Sequence, residues 1–138
     1  MENNCVFCKI IGNEIPSVTI YEDECFVAIM DVVPANKGHV IILSKSHICD
    51  VFELDEKSAN KAMAVVKKVA HAMKTELGCD GLNVLQNNGV VAGQTVFHYH
   101  IHLIPRFKDD SVKIEWKSNS YGEGEAKLLG DAIRRRII

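Results

Sequence analysis

Apolar side chains make up 47% of the chain, yet nowhere do they run on for the roughly 20 positions that a membrane-spanning helix needs. The opening residues, Met1-Glu2-Asn3-Asn4, carry no basic stretch backed by an apolar one, so no secretory leader is expected there. Basic charge is not in excess either. Sixteen Lys and Arg stand against 18 Asp and Glu, a net charge of −2, which gives no general attraction for nucleic acid. Cysteine is too sparse and too uneven for a disulfide scaffold: there are five, at 5, 8, 25, 49 and 79. A chain of 138 residues buries a core without cross-links, so a reduced, cytoplasmic setting is expected. Cys25, Cys49 and Cys79 stand alone and are read as small buried hydrophobes.

Histidine is distributed very unevenly. Three of the six histidines fall within five residues, His98-Tyr99-His100-Ile101-His102, followed by Leu103-Ile104. Successive side chains of an extended strand point to opposite faces. The three imidazoles therefore share one face, and Tyr99, Ile101 and Leu103 share the other. Three imidazoles buried together each need a hydrogen-bond partner or carry a desolvation cost, so the row marks a site rather than ordinary packing. Imidazole is a nucleophile that leaves well and titrates near neutrality, which suits covalent acyl or phosphoryl transfer. A neighbouring group must fix the proton on one ring nitrogen so that the other keeps its lone pair.

The remaining pattern reads as a single α+β domain over 1–138, with its core in about 5–107 and a less diagnostic tail in 108–138. Cys5 to Gly12 is predicted as a short helical turn. Strands are predicted at Val18–Tyr21, Cys25–Asp31, His39–Leu43, Leu82–Gln86 and Thr95–Ile104, forming a mainly antiparallel sheet. From Asp55 to Leu77, Ala59, Ala62, Met63, Val66, Val69, Ala70, Met73 and Leu77 recur on one face of a long helix. Asp55 or a neighbour suits its start and Gly78 its end. A last helix is expected in Glu125–Ile138 with Leu128, Leu129, Ala132 and Ile133 facing inward; Arg134-Arg135-Arg136 would complement its dipole. His39 and His71 are assigned no role in the site.

Between the fourth strand and the histidine strand lies Asn87-Asn88-Gly89-Val90-Val91-Ala92-Gly93-Gln94-Thr95. Loops of this composition are usually turns, but beside the histidines this one offers backbone N–H groups, amides and a hydroxyl to a phosphate. Cys5-Val6-Phe7-Cys8 has the two-residue gap that lets both thiolates reach one ion. A redox pair and two unrelated core cysteines are the other readings. A structural zinc would need histidines to complete four ligands, because the chain has no second C-x-x-C.

His98 to Ile104 resembles the His-φ-His-φ-His-φ-φ signature (φ, apolar) of the histidine triad superfamily. Phe7-Cys8-Lys9-Ile10-Ile11, Glu14-Ile15-Pro16, Tyr21-Glu22-Asp23, Asp31-Val32-Val33-Pro34, Gly38-His39 and Lys45-Ser46-His47 resemble its nucleotide-binding branch. The resemblance implies a homodimer, with the long helix and central strands at the interface, and nucleotidyl hydrolase or transferase activity. It implies His100 as the nucleophile at the α-phosphorus of a purine nucleoside phosphoramidate or related AMP conjugate. His102 would orient it, with His98 beside them. Asp31 would hold the ribose hydroxyls, Phe7, Ile15 and Val32 the base, and Asn87, Gly93, Gln94 and Thr95 the phosphate. It also implies that Cys5, Cys8, His47 and His98 bind a structural zinc, with no organic cofactor. The chain departs from many relatives at Val90-Val91-Ala92, so the leaving group stays open. Dinucleoside polyphosphate hydrolysis, a metal-dependent hydrolase and a nucleotide-binding regulatory module are the alternatives.

Overall fold

The computed structural model describes residues 4–138; the reading of Met1-Glu2-Asn3 lies outside the described residues. Among the described residues, five strands form one antiparallel sheet in the order β1-β2-β3-β5-β4: β1 Thr19–Glu22, β2 Phe26–Met30, β3 Val40–Ser44, β4 Gly81–Leu85 and β5 His100–Arg106. Three α-helices accompany it: α1 Val6–Ile11, α2 Glu56–Leu77 and α3 Glu125–Arg134. Short 3-10 turns form at Val51–Glu53 and at Val90–Ala92, the latter within the stretch expected as loop. Among the described residues, no helix is long and apolar enough to cross a membrane.

Period-two alternation sorts the sheet into two buried faces. Phe26, Ala28, Val40, Ile42, Tyr99, Ile101 and Leu103 pack with α2, through Ala62, Val65, Val66, Val69 and Met73. Val27, Ile29, Ile41 and Leu43 point the other way and pack with Phe7, Ile10 and Ile11 of α1. Strands covered on both faces read as continuous apolar runs, as β2 and β3 do. Helix α2 starts where Asp55 accepts a hydrogen bond from the Ser58 N–H (2.9 Å) and stops at Gly78, which takes a left-handed φ of 59°. Its inward stripe differs slightly from expectation. Val65 is buried, whereas Ala59 and Met63 face outward.

Three sequence expectations are corrected. The last helix forms, but Leu128, Leu129 and Ile133 are 73%, 49% and 63% exposed, and Ala132 is exposed too. The amphipathic pattern is legible in the sequence, but among the described residues nothing covers its apolar face. The histidine strand begins at His100, not Thr95, because residues 96–98 bend and the Tyr99 N–H leaves the ladder to bond the Ile48 carbonyl (2.7 Å). Of the lone cysteines, only Cys79 is buried; Cys25 and Cys49 are partly exposed.

After β5 the chain is tied down by Arg106. Its guanidinium spans both carboxylate oxygens of Asp110 (2.8 and 2.9 Å) and donates to Asn83 and to the Val112 carbonyl. The Arg106 partnership holds the Asp110 carboxyl well below the usual carboxylate range.

Candidate functional site

His100 and His102 project from β5 toward α1, and His98 points the same way from the bend before it. The ring of Phe7 meets His98 edge-on at 5.9 Å and His100 at 5.0 Å, and the rings of His100 and His102 lie 4.9 Å apart. Register explains the approach of a fourth imidazole. Ile41 of β3 faces His102 of β5, so His39, two residues earlier on the same face, lies diagonally beside His102.

The hydrogen bonds fix which nitrogen of each ring carries the proton. The Ala35 N–H donates to His39 Nδ1 (3.0 Å), so that nitrogen keeps its lone pair and neutral His39 carries its proton on Nε2. His39 Nε2 lies 2.9 Å from His102 Nδ1 and donates to it, which puts the His102 proton on Nε2. His100 donates from Nδ1 to the His98 carbonyl (2.6 Å), leaving Nε2 as a free lone pair. His98 donates from Nε2 to the Ser44 carbonyl (2.6 Å), leaving Nδ1 free. A backbone group anchors three of the four rings directly, and the fourth is set through His39.

Electrostatics keep the relay neutral. Burial pushes His102 down to about 4, with repulsion from charged His100 and His39 adding to the effect. Burial lowers His39 as well, partly offset by the Asp31 carboxylate, whose Oδ2 lies 3.6 Å from its Nε2. Burial likewise lowers His100. A neutral imidazole is the nucleophilic form.

These rings border a cavity of about 420 Å³ whose wall includes Phe7, Ile15, Asp31, Val32, Thr95, His100 and His102. Its lining combines apolar side chains with the Asp31 carboxylate and the His100 and His102 imidazoles. Asp31 is held with Oδ1 accepting from the Val33 N–H (2.8 Å). Asn87, Gly93 and Gln94 lie outside this wall. Gln94 is 3% exposed and its amide is engaged within the chain. Its oxygen accepts from the Gly89 N–H (2.8 Å), and its Nε2 donates to the carbonyls of Cys49 (2.8 Å) and Val96 (3.2 Å). Asn87 Nδ2 reaches the Gly93 carbonyl at 3.4 Å, near the limit of a hydrogen bond. These two amides brace the loop.

On the far side of Phe7, Cys5, Cys8, His47 and His98 converge, their ligand atoms all within 4.8 Å of one another. Cys5 Sγ lies 3.4 Å from His98 Nδ1, and Cys8 Sγ lies 3.3 Å from His47 Nδ1 and 3.6 Å from His98 Nδ1. Tetrahedral zinc, with bonds of about 2.3 Å to sulfur and about 2.0 Å to nitrogen, sets such edges near 3.5 Å. The donor set fits zinc, and the bond from His98 to Ser44 leaves the correct nitrogen available. Asp31, His39 and His102 form a second group of potential ligands, but two of their ligand atoms are occupied in bonding each other.

Sequence reasoning overlooked His39. Alternation along β3 places it on the face of Ile41 and Leu43, but only the pairing of β3 with β5 brings it to His102. His71 is exposed on α2, away from the site.

The profile of the HIT domain matches residues 12–109. Adenosine 5'-monophosphoramidase hnt1 of Schizosaccharomyces pombe is 36% identical over 135 residues, covering 97% of this chain and 98% of that protein. Among solved structures, a HIT family member from Bacillus subtilis superposes with a TM-score of 0.93 at 40% identity, covering 99% of both chains. A zinc-bound histidine triad family protein of Mycobacterium smegmatis superposes with a TM-score of 0.74 at 34% identity, covering 96% of this chain and 95% of that one.

Proposed function

Because the chain belongs to the HIT domain family, we propose that it is a nucleotide hydrolase acting at the α-phosphate of purine nucleoside phosphoramidates or related AMP conjugates. The observation that carries the reading is the bond from His100 Nδ1 to the His98 carbonyl. It leaves Nε2 as an unprotonated nucleophile at the wall of a cavity whose lining also includes Asp31 and apolar side chains. The phosphoramidase hnt1 supports the same class.

In this reading the base lies between Phe7, Ile15 and Val32, and the ribose hydroxyls bond the Asp31 carboxylate. His100 Nε2 attacks the α-phosphorus; the P–N bond to the leaving amine breaks as the amine takes a proton from solvent. Water then attacks the nucleotidyl-histidine, its proton leaving with solvent, and AMP and neutral His100 are released. His102 Nε2–H, set by the bond from His39, is the donor to the phosphoryl oxygens. Thr95 supplies a further hydroxyl, and Asn87, Gly93 and Gln94 hold the loop that carries it. Cys5, Cys8, His47 and His98 would hold a structural zinc bracing α1 against the bend before β5.

A homodimer suits the surfaces left open. Strand β4 pairs only with β5, and α3 presents an uncovered apolar stripe.

His100→Asn tests the function: turnover of an adenosine phosphoramidate is lost by at least about 10³-fold while AMP still binds. Wild-type protein quenched during turnover should carry a nucleotidyl adduct on residue 100. Full turnover by His100→Asn would eliminate the covalent mechanism, and complete loss of wild-type turnover after chelation, with the fold intact and no adduct ever found on residue 100, would favour a metal-dependent hydrolase.

A further inference from the structure

Residue 98 belongs to two constellations at once. Its side chain, wholly buried, presents Nδ1 to the sulfurs of Cys5 and Cys8, while its carbonyl accepts the His100 Nδ1–H at 2.6 Å. Phe7 makes a second link. It sits between the two cysteines in sequence, and its ring lies against both His98 and His100. Helix α1, which carries Phe7 and Cys8, has only six residues, too few to hold its shape without outside anchors. Cys5, just before it, is its N-cap, its sulfur accepting from the Cys8 N–H.

We propose that the Cys5–Cys8–His47–His98 cluster is a positioning device for His100: a metal held there fixes the His98 peptide and the Phe7 ring, and through them the orientation and tautomer of the nucleophile. The proposal rests on the zinc reading above and adds a consequence for chemistry to what would otherwise be a brace. Loss of metal frees the bend at 96–98 and the N-terminus of α1 together. The His98 carbonyl then drifts from His100 Nδ1, and the ring turns away from the attack geometry. Asp31 and Val32 lie outside the elements that carry the cluster, so the ribose site persists and nucleotide binding should be affected less than turnover.

Two preparations test this: the wild-type protein stripped with a strong chelator and His47→Ala, which removes the exposed ligand. A third, Cys5→His, keeps four ligands. For each, zinc content is measured by mass spectrometry and folding by circular dichroism. The His100 Nδ1 proton is followed by NMR, since a short hydrogen bond makes it deshielded and slow to exchange. Loaded wild type and zinc-bound Cys5→His should show the protected proton. Stripped protein and His47→Ala should stay folded and exchange it at least about tenfold faster, with kcat down about tenfold and KM within about twofold. Folded, metal-free protein with an unchanged His100 proton overturns the proposal while leaving structural zinc intact. Failure of wild type to bind zinc overturns both. Loss of the proton's protection without any phosphoramidase activity supports the proposal and rejects the assigned reaction.

Discussion

His39 Nε2 donates to His102 Nδ1 across 2.9 Å, joining the first residue before β3 to the third residue of β5. A backbone amide starts the chain of bonds, and its far end is the Nε2–H that would meet the substrate's phosphate. His102 is thereby tautomerically fixed without any carboxylate bonded to it. His39→Leu should lower kcat by roughly 10²-fold with little change in KM, because His102 then loses its fixed proton while the nucleotide cavity persists. His39→Gln, whose side-chain amide can still donate, should recover part of the loss. Equal defects in Leu and Gln variants, or a change confined to KM, would refute the relay.

Neutral, buried imidazoles make stability depend on pH. His102 is lowered to about 4 in the fold, against an ordinary value near 6.5. His39, His100 and Asp31 are the titratable groups facing it. As pH falls below about 6.5 the unfolded chain takes up a proton that the folded chain refuses, so stability drops until about pH 4, where both are protonated. Urea unfolding followed by circular dichroism at pH 7, 6 and 5 should show this decline. His102→Asn should show a shallower one; parallel declines would mean that His102 contributes none of it.

Gln94 is a buried amide with three partners, so Gln94→Ala leaves the Gly89 N–H and the Cys49 and Val96 carbonyls to find others. The expected cost is about 1–3 kcal/mol in urea unfolding, together with weaker AMP binding as the loop loosens. Unchanged stability would show that water replaces the amide without penalty.

The uncovered α3 stripe predicts its own assay. Leu129→Glu with Ile133→Glu should leave circular dichroism unchanged, because neither residue is buried in the single chain, and should shift sedimentation from dimer to monomer. A monomeric wild type would remove the dimer from the account.

Gly38 marks a close approach between the turn before β3 and the end of α2. It has a φ of +97°, and a Cβ there would stand 2.5 Å from Leu77 Cδ1. Gly38→Ala should destabilise by about 1–2 kcal/mol through backbone strain, with Leu77→Ala relieving only the contact. Because Gly38 precedes His39, the same variant should also reduce kcat.

The chain's local chemistry determined the elements and their faces. Alternation in β2, β3 and β5, the cap at Asp55, the exit at Gly78 and the shared side of the histidines all follow from stereochemistry within a few residues. So does the helical pattern of α3, although not what its apolar face meets. Tertiary structure decided what depends on segments distant in the chain: His39 reaching His102 through the pairing of β3 with β5, and Gln94 turning inward to bond the Cys49 carbonyl. It also set the start of the histidine strand at residue 100, since the Tyr99 N–H found the Ile48 carbonyl outside the ladder. Side-chain direction is a property of the local backbone, whereas the partner of a buried proton is set by segments brought together from 39 to 93 residues away.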